Sequence, residues 1–105
     1  MRCIELKIIY RTNKLQKICE SCGFGYAKRE YGKEMAERIH LRISEIKASV
    51  SIEEMVQYNI GRCHSLKGDK KGFFAMDLIH PYRLILSQDD DDICCVKIQR
   101  IEDYH

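Results

Sequence analysis

The chain has 105 residues, 45% hydrophobic and 32% charged, with a net charge of +2. That length fits a single domain, 1–105, and the composition is that of a folded protein, not a disordered one. No apolar run approaches the roughly 20 residues of a helical membrane span, and Met1-Arg2-Cys3-Ile4-Glu5-Leu6-Lys7 lacks the basic-then-apolar order of a secretion signal, so a cytoplasmic location is expected.

Cys3 to Ile9 alternates apolar and polar over most of its length, the pattern of a half-buried strand. Thr12 or Asn13 can cap a helix whose apolar stripe is Leu15, Ile18, Cys19 and Cys22. Gly23 and Gly25 favour a break or kink there, and Gly32 after Tyr31 is a stop signal. A second helix buries Met35, Ala36, Ile39, Ile43, Ile46 and Val50, with Glu34, Glu37, Arg38, Arg42 and Glu45 on its polar face. Ser51-Ile52-Glu53-Glu54 is a capping box for a short third helix that buries Ile52, Met55 and Val56.

The periodicity changes at Gly61, after which the chain reads as short strands joined by turns. Phe74, Met76 and Leu78 alternate with Phe73, Ala75 and Asp77, and Tyr82, Leu84 and Leu86 alternate with Arg83 and Ile85. At least one of Phe73 and Phe74 is expected to be buried. His80-Pro81 marks one turn and the acidic run Asp89–Asp92 another, before a last strand over Ile93 to Ile98. Helices first and strands afterwards predict an α+β fold with an antiparallel meander.

The six cysteines are expected to be reduced thiols. Cys19-x-x-Cys22 has the gap of a zinc knuckle, but no second such pair follows and Cys19 falls at an apolar helical position, so no metal is expected. The four adjacent carboxylates of Asp89–Asp92 lack the spaced ligands of a calcium loop. Positive charge is segregated instead: Arg62, Lys67, Lys70 and Lys71 crowd one stretch, the footprint of a polyanionic partner.

The turn His64-x-Leu66-Lys67-Gly68-Asp69-x-x-Gly72, the strand Tyr82-Arg83-Leu84-Ile85 and the terminal Glu102-Asp103-Tyr104-His105 resemble the HigB-type toxins of the RelE/ParE superfamily. The match runs in order from about Gly61 to His105, while the N-terminal half matches only in its layout of strand and helices. The resemblance implies a RelE-like fold, with an N-terminal strand and two to three helices packed on one face of a mainly antiparallel four- to five-stranded sheet. It also implies the toxin of a type II toxin–antitoxin system, a metal-independent endoribonuclease without cofactor that cuts mRNA in the ribosomal A site and is inhibited by a HigA-like antitoxin. In that reading His64, Lys67, Asp103, Tyr104 and His105 are catalytic, and Arg62, Lys70, Lys71 and Arg83 bind RNA. One departure is Ser65, where many relatives have proline.

The residue types suit that chemistry. Cleavage by the substrate's own 2′-hydroxyl needs a base, an acid for the departing 5′ oxygen, and positive charge on the phosphorane oxygens. Histidine titrates near neutral pH, which fits His64 and His105 to proton transfer. Lys67 and Arg83 supply charge, Asp103 can orient a histidine, and Tyr104 can stack on a base or bond the phosphate. Two alternatives share the fold: a non-catalytic ParE-like toxin that binds DNA gyrase, and an inactive RelE-fold interaction protein.

Overall fold

The computed structural model describes residues 5–20, 24–68 and 72–104. Strand β1 (Lys7–Tyr10) is followed by helices α1 (Asn13–Glu20), α2 (Phe24–Tyr31), α3 (Lys33–Ala48) and α4 (Ile52–Gln57). After a 3-10 turn at Ile60–Arg62 come strands β2 (His64–Ser65), β3 (Phe73–Asp77), β4 (Tyr82–Gln88) and β5 (Cys95–Asp103). Among the described residues there are thus four helices where two or three were expected, α1 ending at Glu20 and α2 beginning at Phe24.

The local signals act where the sequence placed them. Thr12 is the cap of α1, its hydroxyl accepting from the Leu15 amide at 3.1 Å. At α4 the Ser51 hydroxyl accepts from the Glu54 amide at 3.0 Å, and Glu54 reaches back to the Val50 amide at 3.1 Å. The five strands lie in the order β1-β5-β4-β3-β2, with β1 parallel to β5 and the other pairs antiparallel. A parallel pair requires a long crossover, and everything between β1 and β5, helices included, provides it.

The helices cover one face of this sheet. Ile39, Ile43 and Ile46 of α3 and Met55 of α4 form a common core with Met76, Leu84, Leu86, Val96 and Ile98 from the strands. Register then fixes what the other face carries, since directly paired residues point the same way. His64 pairs with Ala75, Asp77 with Arg83, and Arg83 with Glu102, all out of phase with the core-facing pairs Met76–Leu84 and Leu86–Ile98. Chemistry-bearing side chains therefore share the face turned away from the helices.

Several expectations are corrected. Arg42, read as a polar-face residue, is 8% exposed, and its Nε donates to the Asp77 carbonyl at 2.6 Å. Val56 is exposed and Val50 lies beyond the end of α3, half-buried. Neither Phe73 nor Phe74 is fully buried; both are half-buried, with Phe74 against the core. Cys19, Cys63 and Cys95 are free buried thiols, whereas Cys94 is disulfide-bonded, against the expectation of six reduced thiols. Among the described residues no helix is long and apolar enough to cross a membrane, and no His/Cys/Asp/Glu group is placed to hold a metal ion. Cys22, half of the zinc-knuckle motif, lies outside the described residues.

Candidate functional site

A cleft of about 480 Å³ opens where the start of β2, the β3–β4 turn and the end of β5 meet, and Arg62, His64, Asp77, His80, Arg83 and Tyr104 line it. Its first wall comes from a tight turn. Gly61 and Arg62 both have positive φ, 59° and 56°, which reverses the chain after α4 and delivers His64 onto the sheet edge. A left-handed arginine is uncommon and is held here by its surroundings. The Arg62 side chain is 77% exposed and makes a loose 3.5 Å ion pair with Asp77.

The His64 ring is fixed by its backbone. Nδ1 lies 2.8 Å from the Arg62 carbonyl oxygen, which can only accept, so Nδ1 carries the proton and donates. In the neutral ring that leaves Nε2 with the free lone pair, the nitrogen available to take a proton. Cys63 next to it is buried, and burial pushes its thiol up to about 11. It is therefore neither a thiolate nucleophile nor a ready metal ligand at neutral pH.

Arg83 and Tyr104 form the opposite wall. The Arg83 Nε and Nη2 both reach Glu102 Oε2, at 2.7 and 2.6 Å, and its guanidinium carbon lies 3.8 Å from the centroid of the Tyr104 ring. Tyr104 is tethered by its own backbone, the amide donating to the Pro81 carbonyl at 2.7 Å. Tyr104 is 59% exposed, an aromatic residue open to solvent with a cation beside its ring.

Of the nine residues singled out from sequence, Arg62, His64, Arg83 and Tyr104 come together in this cleft. Asp103 is not among the residues that line it; it pairs with Tyr82 in the β4–β5 register and so shares the face on which Tyr82 packs against the core. Lys67 is exposed, two residues past the end of β2, and does not line the cleft. Lys70, Lys71 and His105 lie outside the described residues. Sequence reasoning missed His80, treated only as a turn marker, and Asp77 and Glu102, each of which engages a cleft arginine. The strand alternation already placed Asp77 on the Phe73–Ala75 face, the one signal that was there to use.

No protein-family model and no curated protein matches the chain. Solved structures do. The chain is similar to the YoeB-YefM complex from Staphylococcus aureus at 21% identity, covering 96% of this chain and 98% of that one, with a TM-score of 0.61. A heterotetrameric YoeB-YefM toxin-antitoxin complex from the same organism matches at 20% identity, 96% and 98% coverage and TM-score 0.60. The Staphylococcus aureus YoeB dimer matches at 19% identity, again covering 96% and 98%, with TM-score 0.56. Near-complete coverage at that identity defines the class by fold: this is a RelE-like α+β domain. These three neighbours are YoeB proteins, so the resemblance to HigB-type toxins rests on the sequence motifs alone.

Proposed function

We propose that the chain is the toxin of a type II toxin–antitoxin system, a HigB-like endoribonuclease that cuts mRNA in the ribosomal A site and thereby stops translation. The observation that carries this reading is the cleft in which His64, Arg62, Arg83 and Tyr104, drawn from both ends of the C-terminal half, face one another. The shared fold with YoeB toxins supports it.

In this reading the 2′-oxygen attacks the adjacent phosphorus and the 5′-oxygen departs, leaving a 2′,3′-cyclic phosphate and a 5′-hydroxyl. His64 takes one proton-transfer role through Nε2 and His105 the other. Asp103 orients an imidazole. Arg62 and Arg83 hold the phosphate, Arg83 by the edge of its fork that Glu102 leaves open. Lys67 reaches in from outside the cleft to the charge that develops on the phosphorane oxygens. Lys70 and Lys71 attract the RNA backbone without regard to sequence. Tyr104 offers its open ring to an unpaired base. The antitoxin, HigA-like in the resemblance, is the protein partner, and the working location is the cytoplasm.

The test is a cell-free translation reaction with the ends of the message mapped. Cuts within codons, lost with His64→Ala by about 100-fold or more, support the nuclease. Intact message with stalled gyrase supports a ParE-like binder, and intact message with gyrase unaffected an inactive interaction protein.

A further inference from the structure

Arg83 is not a freely mobile cation. Its side chain is 12% exposed, and its partner Glu102, directly opposite in register, is 15% exposed. A guanidinium has five N–H donors in a rigid plane. Glu102 Oε2 takes the side edge, Nε and Nη2, at 2.7 and 2.6 Å. Among the described residues no other acceptor is bonded to the guanidinium, and the end edge, one hydrogen each from Nη1 and Nη2, can form a second fork. The Arg83 Cζ lies over the Tyr104 ring, 3.8 Å from its centroid, and that contact limits the remaining rotation. The other Glu102 oxygen, Oε1, accepts from Arg100 at 3.1 Å through both Nε and Nη2. One carboxylate is thus braced between two guanidiniums and has little freedom to swing.

We infer that Glu102 is a positioning residue: it clamps the side edge of Arg83 so that the end edge is presented to a phosphate in the cleft, and Arg100 braces the clamp from outside. This deepens the nuclease reading and rests on it for its effect on rate. Alone, Arg83 would spread over rotamers and pay for its ordering on each encounter with substrate. Held by Glu102, it meets the phosphate already oriented.

A double-mutant cycle separates positioning from mere stability. Cleavage of ribosome-bound message is measured for the wild-type chain, Glu102→Ala, Arg83→Ala and the double variant. The expected result is a loss of at least tenfold for Glu102→Ala, but less than a further twofold when Arg83 is already alanine. Losses that multiply would overturn the inference. Should Glu102→Ala not fold, the near-isosteric Glu102→Gln takes its place, with half the loss or more retained as the criterion. A second readout does not depend on cleavage: the ¹⁵N-detected Nε–H resonance of Arg83, assigned with Arg83→Lys. It is expected to be sharp and protected in wild type and lost to solvent exchange in the Glu102 variants; an unchanged resonance overturns the clamp. Wild-type protein that cuts no message while this resonance behaves as expected removes the nuclease reading and leaves the clamp standing.

Discussion

At the scale of single residues, the floor of the cleft depends on a contact made far from it in sequence. Arg42, on α3, donates Nε–H to the Asp77 carbonyl at 2.6 Å and pairs with Glu45 at 2.8 Å. Its stem passes so close to Gly61 that a Cβ there would lie 2.8 Å from Arg42 Nε, and Gly61 also has φ +59°. Only glycine meets both demands at no cost. Gly61→Ala is therefore expected to destabilise the fold by about 1–3 kcal/mol, measured by urea unfolding, and to displace His64; a change under about 0.5 kcal/mol would contradict this account of the turn. The change of periodicity at Gly61 was legible in the sequence. The burial of Arg42 was not, because a long side chain on a polar stripe can bury its stem and carry its head round to a distant carbonyl. His80 was likewise hidden: a turn residue has no periodicity to reveal which way it faces.

At the scale of elements, the decisive irregularity is in β5. Leu86 pairs with Ile98 and Ile85 with Arg100, so Gln99 is an extra residue on the longer strand. Such a bulge re-aims every side chain beyond it. With strict alternation from the buried Ile98, Arg100 and Glu102 would enter the core and Ile101 would face water; the bulge instead packs Ile101 against the core and brings Glu102 beside Arg83. The Gln99 amide also donates to Ser87 Oγ at 2.9 Å. Deleting Gln99 is expected to abolish cleavage and lower stability, read by growth arrest and thermal unfolding; retained toxicity would mean that the facing of β5 beyond Ile98 does not matter. The sequence pattern Val96, Ile98, Ile101 carries this bulge as a three-residue step, but a strand read only as far as Ile98 stops short of it.

Helix–strand ties add a pH dependence. Glu20 at the end of α1 pairs with Lys47 of α3 at 2.9 Å and accepts from Tyr10 of β1. Burial raises its pKa, but the Tyr10 hydrogen bond and the Lys47 interactions outweigh that and hold the carboxyl below its ordinary value. A depressed folded-state pKa contributes stability that is present above the unfolded value, about 4.3 for glutamate, and is lost as pH falls through the folded value. The stability measured by unfolding down through that range is expected to fall less steeply for Glu20→Gln than for wild type. Equal slopes would remove Glu20 from the acid response.

Across the whole molecule, the sheet separates two jobs. One face is sealed by the helices; the other carries the cleft at one end and, beyond Gln88, the acidic turn at the other. The seven residues of β4, at about 3.3 Å each, keep the turn roughly 20 Å from Arg83. Asp92 is further occupied by Lys7 at 3.0 Å, so a polyanion approaching the cleft meets little of that negative charge. The α+β class was legible because strand alternation and turn signals are local, and of the two C-terminal segments the structure brings His64 and Tyr104 to one cleft. The pairing of Asp77 and Glu102 with the cleft arginines was not legible, because it arises from tertiary contacts. The chemistry of the cut ends is the most direct measurement. Message recovered from a translation reaction is predicted to end in a 2′,3′-cyclic phosphate upstream and a 5′-hydroxyl downstream, with both absent for His64→Ala. Ends with a 3′-hydroxyl and a 5′-phosphate, or message left whole by the wild-type chain, would contradict it.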